Sequence, residues 1–167
     1  QLFVKKKYMY SSNGNENSLE RERYAYKNTR HPSFPHFYGE IKGGGCLIIE
    51  YIRGRTLDII ELNELFQEEK INIIFQLMII IEYLHFHQFI YRDLKPNNII
   101  YDENHHQIIL FDFDQMINLE MLEENYQITK DFSSPFMCPE MKNNQTRDYK
   151  VYSFKEDVYS IGVLIYF

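Results

Sequence analysis

The sequence feature that most constrains the fold is a predicted hairpin with a cluster of polar residues at each end. Two apolar runs typical of strands, 98–101 and 108–111, flank a polar turn. The cluster YRDLKPNN at 91–98 leads into the first run, and the triplet DFD at 112–114 follows the second. Because the start of one strand lies beside the end of its antiparallel neighbour, we expect both clusters to meet at one edge of a cleft.

The remaining pattern predicts a strand-rich first part and a helical second part. Residues 2–7 read as the end of a strand, and the apolar runs 37–41 and 46–51 read as two strands joined through the glycine turn at 43–45. A charged helix is predicted at 19–28. Residues 68–87 carry apolar side chains on most helical faces, as in a buried helix, and another apolar helix begins at 158. We therefore expect an α+β fold.

Charge and composition exclude several classes of function. The net charge is −6, and seven acidic residues but only one lysine lie between positions 112 and 140. A nucleic-acid-binding domain carries a basic stripe, which this sequence lacks. The longest apolar run, 71–81, is shorter than the roughly 18 residues that a membrane span needs. Cys46 and Cys138 lie far apart without a CxxC pattern, which is typical of a reducing compartment. We expect a cytoplasmic protein with no nucleic-acid or membrane partner.

The residue types in the two polar clusters fit phosphoryl transfer. In that reaction a carboxylate accepts or orients the attacking hydroxyl, while hard oxygen ligands hold Mg²⁺ against the nucleotide phosphates. Asp93 supplies the first group, and Asn98 and Asp112 supply oxygen ligands for the metal. A surface loop with solvated side chains is the alternative interpretation.

The YRDLKPNN and DFD motifs resemble the catalytic loop and metal-binding triplet of eukaryotic-type protein kinases of the Ser/Thr class. The resemblance covers essentially the whole chain. It implies a bilobal protein-kinase-like fold, with ATP and Mg²⁺ as cofactors and a protein as substrate. It also implies that Asp93, Lys95 and Asn98 are catalytic and that Asn98 and Asp112 bind the metal.

The resemblance extends to the nucleotide site. Lys5 matches the lysine that contacts the α and β phosphates, and Glu22 matches the helix glutamate that pairs with it. Glu50 and Ile52 belong to a segment that resembles the hinge, which binds adenine through backbone groups. Ile49 matches the gatekeeper position.

Two neighbouring lysines compete for the phosphate-binding role. If Lys5 has this role, Phe3 lies over adenine, where the family has a small residue. If Lys6 has it, Val4 takes the adenine position, but Lys5 stands where an apolar residue is expected. We favour Lys5.

Two residues favour Ser/Thr substrates. In the family, a lysine two positions after the catalytic aspartate marks Ser/Thr kinases, and Lys95 stands there. Ser133, in the substrate loop, takes the position of the threonine that bonds the catalytic Asp and Lys.

Thr129 stands where many kinases of this family carry an activating phosphothreonine, which Arg92 would bind. The alternative is that one of the nearby acidic residues already occupies the Arg92 site, namely Glu120, Glu123, Glu124 or Asp131. Asp157, at the start of the last helix, is expected to support the catalytic loop.

The resemblance divides residues 1–167 into parts of two lobes: about 1–50 from the N-lobe, about 51–56 as the hinge and about 57–167 from the C-lobe. The glycine-rich loop would precede residue 1 and the late C-lobe helices would follow residue 167, so we expect this stretch alone to be inactive. Asp114 replaces a glycine of the family, and Phe3 is a second departure. If these changes weaken nucleotide handling, a pseudokinase acting as a binding or scaffold module is the alternative function.

Overall fold

The computed structural model describes residues 2–8, 15–41, 45–121, 135–143 and 152–166. Within these ranges the chain forms strands and helices in the order β1 Phe3–Lys7, α1 Asn15–Asn28, β2 Phe37–Ile41, β3 Cys46–Glu50, β4 Arg55–Thr56, α2 Gln67–Phe86, β5 Phe89–Ile90, β6 Ile99–Asp102, β7 Gln107–Leu110, β8 Ile117–Asn118, α3 Pro139–Asn143 and α4 Lys155–Tyr166. Short 3₁₀ turns lie at Leu57–Ile59, Leu62–Glu64, Pro96–Asn98 and Leu119–Met121. The predicted α+β class is confirmed.

The first three strands form one antiparallel sheet with the order β1-β3-β2. In this sheet Lys5 is opposite Ile48 and Lys6 is opposite Leu47. Side chains alternate between the two faces of a strand, so Lys5 and Lys6 point in opposite directions. This alternation decides which lysine reaches the site.

The predicted central hairpin is present as β6 and β7, which pair from Ile99 with Leu110 to Asp102 with Gln107. The two-residue strand β4 extends this sheet on the β6 side, and β5 pairs with β8 in a separate small sheet. These two-residue strands are too short to leave an alternating pattern in the sequence.

Helix α2 runs along the second part of the molecule. It contributes five buried apolar side chains to the core, namely Ile73, Leu77, Ile80, Ile81 and Leu84. The opposite face is also apolar but is exposed at Phe75, Met78 and Ile79. The sequence pattern, which predicts a helix buried on most of its faces, therefore overestimates how much of the helix is buried. None of the helices in the described ranges has the length and hydropathy needed to cross a membrane.

One apolar cluster connects the two parts of the chain. Phe113, from the DFD triplet, is fully buried. Its ring centroid lies 4.8 Å from that of Tyr26 on α1 and 5.1 Å from that of Phe34 in the loop before β2. The triplet is therefore held against α1 by its own phenylalanine, which fixes the aspartates on either side.

Helix α1 begins earlier than the sequence pattern indicates, at Asn15 instead of residue 19. Its last turn carries Lys27. Thr29 follows the helix, and its hydroxyl donates to the carbonyl of Ala25. The two prolines that follow, Pro32 and Pro35, lie in the loop between α1 and β2, as expected for residues that cannot continue a helix.

Candidate active site

Asp93, Lys95 and Asn98 form a hydrogen-bonded group just before β6. The amide nitrogen of Asn98 donates to Oδ2 of Asp93 at 2.8 Å and to its carbonyl at 2.9 Å. The ammonium of Lys95 lies 2.8 Å from the same Oδ2. Within the described part of the chain, Oδ1 of Asp93 is buried and accepts no hydrogen bond. The group therefore fixes one oxygen of the carboxylate and leaves the other without a donor.

Burial raises the pKa of Asp93 above its usual range, and the hydrogen bonds and charge of Lys95 and Asn98 oppose this only in part. A carboxylate with a raised pKa is a better proton acceptor than an ordinary surface aspartate. The carboxylate of Asp93 is therefore suited to accept a proton from a hydroxyl.

Lys6 joins β1 to α1 and to the DFD triplet. Its Nζ lies 2.8 Å from Oε2 of Glu22 and 2.5 Å from Oδ1 of Asp112. The other oxygen of Glu22 accepts a hydrogen bond from the backbone N–H of Phe113 at 3.3 Å. Burial lowers the pKa of Lys6, but the attraction of Glu22 and Asp112 outweighs it, so the pKa is raised and the ammonium stays charged.

The expected pairing of Lys5 with Glu22 is wrong. Lys6 makes that contact because alternation along β1 directs Lys6 toward α1, whereas Lys5 lies on the other, exposed face. The same alternation corrects the expectation for adenine. Val4, not Phe3, lines the cavity, and Phe3 is 64% exposed.

A cavity of about 250 Å³ lies between the first sheet and the hairpin. It brings together most of the predicted nucleotide-site residues, and its lining includes Val4, Lys6, Glu22, Ile49, Glu50, Ile52, Phe111 and Asp112. Glu50 and Ile52 therefore border the same space as the Lys6 and Asp112 side chains. A larger depression of about 630 Å³ lies beside the end of α1 and β2 and borders Glu50, among the predicted site residues.

Asp157 supports the catalytic loop, as predicted. Its Oδ1 accepts the backbone N–H of Arg92 at 2.8 Å, and its Oδ2 accepts that of Tyr91 at 2.9 Å. His85 on α2 also contacts Oδ2, through Nε2 at 2.9 Å. This contact was not predicted, because nothing in the sequence relates a helix residue to an aspartate so far along the chain.

Asp114 does not strain the backbone at the position where the family has glycine. Among the described non-glycine residues, a positive φ occurs at Gln88, Arg92, His106 and Asp112, and Asp114 is not one of them. The carbonyl of Asp114 accepts a hydrogen bond from Nε of Arg21 on α1 at 2.6 Å. Burial raises the pKa of the Asp114 carboxyl, and the nearby charge of Asp112 raises it further.

Asn98 and Asp112 fit a magnesium site. The amide nitrogen of Asn98 is used by Asp93, which leaves its side-chain oxygen for a ligand. Asp112 is partly exposed, and only Oδ1 is engaged by Lys6. Mg²⁺ in nucleotide sites takes few protein oxygens together with phosphates and water. No group of three or more His, Cys, Asp or Glu suited to a metal occurs in the described ranges.

The side chain of Arg92 lies next to Glu156, with Nε 3.7 Å from Oε2. Both side chains are buried. Glu156 was not among the predicted site residues, because a glutamate in the first turn of a helix is ordinarily a solvated capping residue. Thr129 and Ser133 lie outside the described residues.

Comparisons with known proteins agree with this geometry. The sequence model of the family described as "Protein kinase domain" matches residues 1–167. The carbon catabolite-derepressing protein kinase of Candida glabrata is 32% identical over 152 residues, which are 89% of this chain and 24% of that protein. The SNF1-like protein kinase ssp2 of Schizosaccharomyces pombe is also 32% identical, over 89% of this chain and 25% of that protein.

A plant relative, the serine/threonine-protein kinase RUNKEL of Arabidopsis thaliana, is 30% identical over 155 residues, 90% of this chain and 11% of that protein. The chain thus spans at most about a quarter of the length of these curated relatives. The family match covers every residue of the chain. The chain belongs to the protein kinase family.

Proposed function

We propose that the protein containing this chain transfers the γ-phosphoryl group of ATP to serine or threonine hydroxyls of protein substrates. The observation that carries the proposal is the convergence of two polar groups. Lys6, Glu22 and Asp112 meet at one side of a cavity of about 250 Å³, and Asp93 with its partners lies at the start of the adjoining hairpin.

In this proposal the cavity binds the nucleotide. Val4 and Ile49 offer apolar surface to the adenine ring, and the backbone at Glu50 and Ile52 offers hydrogen-bonding groups to its edge. Lys6, held by Glu22, binds the phosphates as a fixed positive charge. A fixed charge in a partly buried site needs little rearrangement when the phosphates arrive.

Mg²⁺ held by Asn98 and Asp112 would neutralise phosphate charge during the transfer. Asp93 orients the attacking hydroxyl and accepts its proton, through the carboxylate oxygen that has no donor among the described residues. Lys95, 2.8 Å from the other oxygen of Asp93, can reach the transferring phosphoryl group. Such a lysine favours a Ser/Thr substrate over a tyrosine, and Ser133 in the substrate loop agrees with it.

The division into an N-lobe part at about 1–50, a hinge at about 51–56 and a C-lobe part at about 57–167 is part of this proposal. It is supported by the separate sheets, since β1-β3-β2 precedes residue 51 and β4-β6-β7 follows it. The two cysteines of the chain, Cys46 and Cys138, are both buried and do not form a disulfide with each other, which agrees with a reducing compartment such as the cytoplasm.

The structure removes the two sequence features that favoured the pseudokinase alternative. It depended on Phe3 in the adenine position and on a strained Asp114. Val4 takes the adenine position, and Asp114 has no positive φ.

The proposal is tested with the full-length protein, labelled ATP and a peptide that offers one acceptor. Three peptides of otherwise identical sequence carry serine, threonine or tyrosine, and a fourth carries alanine. We expect Mg²⁺-dependent label in the serine and threonine peptides. Label in the tyrosine peptide alone would overturn the Ser/Thr assignment, and label in none of several peptide sets would overturn the activity.

A further inference from the structure

Arg92, the residue before Asp93, is held by contacts from several directions. It has φ 71°, a left-handed conformation that is unfavourable for a non-glycine residue. Its backbone N–H donates to Asp157 at 2.8 Å, and its Nη1 donates to the carbonyl of Gln115 at 3.2 Å. Its guanidinium lies 4.9 Å from the ring centroid of Tyr152. The side chain is only 5% exposed, so its charge needs a partner inside the protein.

Glu156 is the carboxylate that faces this charge. In the described part of the chain it is the acidic side chain within ion-pair distance of Arg92, at 3.7 Å between Oε2 and Nε, and it is 8% exposed. Its other oxygen, Oε1, accepts the backbone N–H of Ser153 at 3.1 Å. The carboxylate is thus fixed at the start of α4 by one oxygen and directed at Arg92 by the other.

We propose that Glu156 is a positioning residue for phosphoryl transfer: its buried carboxylate holds Arg92, and through Arg92 the catalytic Asp93, without a phosphate on Thr129. This inference rests on the proposed kinase activity. A phosphothreonine acts on its partner arginine through charge attraction. Glu156 already supplies that attraction from within the fold.

Burial makes the charges of this pair costly to keep ionised and costly to separate. Burial raises the pKa of Glu156 to about 7, against the attraction of Arg92, so the carboxylate is costly to keep ionised. Removing one member of a buried ion pair leaves the other charge uncompensated, which disturbs the residues around it. Here those residues include Asp93, and a displacement of about 1 Å in a catalytic group can lower turnover about 100-fold.

The test compares Glu156→Gln with the wild type in the full-length protein. Glutamine keeps the size of the side chain and an oxygen for Ser153, but it removes the charge. We expect kcat to fall about tenfold or more while KM for ATP stays within about twofold, because the cavity residues are untouched. A general loss of structure would instead raise the KM for ATP as well, so the KM separates the two outcomes.

A second arm needs no variant at Glu156. The wild type is treated with a protein phosphatase, and Thr129→Ala is assayed beside it. We expect each to keep activity within about twofold of the untreated wild type, because the carboxylate of Glu156 already faces Arg92. Loss of activity in this arm, or wild-type kcat in Glu156→Gln, would overturn the inference. If Glu156→Gln does not fold, the phosphatase arm still decides. An untreated wild type with no activity would instead refute the proposed function, and this inference with it.

Discussion

The ammonium of Lys6 lies 2.8 Å from the carboxylate of Glu22, whose side chain is completely buried. This contact ties strand β1 to helix α1, and the same ammonium reaches Asp112 at 2.5 Å. Three elements far apart in the sequence therefore converge on one charged atom.

The two neighbouring lysines give a matched test of this arrangement. We expect Lys6→Met to lower kcat/KM for ATP about 100- to 1,000-fold, because it removes a fixed charge from the phosphate site. Lys5→Met, on the exposed face of the same strand, should change kcat/KM by less than about twofold. Steady-state kinetics on both variants measures this, and equal losses in the two would contradict the assignment of Lys6.

Replacement of Asp112 by asparagine should weaken the metal dependence of nucleotide binding. The variant keeps the size of the side chain but removes the charge that a hard cation prefers. In a Mg²⁺ titration of nucleotide binding, we expect the midpoint to rise about tenfold or more. Asp114→Asn removes the same charge two residues away and should have a smaller effect. If the two variants require equal Mg²⁺ concentrations, Asp112 does not bind the metal directly.

The pH dependence of turnover should report the environment of Asp93. Burial raises its pKa, and Lys95 lowers it in part. Because the ionised form accepts the proton, activity should be lost as the pH falls through this raised pKa, at a higher pH than for an ordinary aspartate. Removing the lysine charge in Lys95→Met should raise the pKa further and move the acidic limb of the kcat profile to higher pH. A shift to lower pH would contradict this account.

Gly54 should be indispensable to the connection between β3 and β4. Its φ is +142°, and an added Cβ would lie 2.6 Å from Cγ2 of Ile100 and 2.6 Å from the carbonyl oxygen of Tyr101. Gly39 has the same φ but open space around it. Gly39→Ala should therefore cost the backbone strain alone, about 1–3 kcal/mol. Gly54→Ala should cost more, because the clash adds to the strain. Thermal or urea denaturation of both variants measures the difference, and equal losses would exclude the clash.

The sequence predicts the main elements and most of the candidate site because the candidate catalytic residues lie in contiguous motifs. Asp93, Asn98 and Asp112 lie at the ends of two apolar runs joined by a polar turn, and the hairpin that this pattern predicts is observed. The choice between Lys5 and Lys6 depends on which face of β1 meets α1, and this strand carries consecutive lysines that do not distinguish its faces. The proposed role of Glu156 depends on a long-range contact with Arg92, which no local sequence pattern indicates.

The most direct test of the central claim is the rate of phosphoryl transfer by Asp93→Asn in the full-length protein. Asparagine has the same shape but cannot accept the proton, so we expect turnover on a serine peptide to fall about 100- to 10,000-fold. Binding of Mg·ATP, measured by calorimetry, should stay within a few-fold of the wild type, because the nucleotide cavity does not include Asp93. Equal turnover by Asp93→Asn and the wild type would contradict the assignment of Asp93 and, with it, the account of this site as a kinase active site.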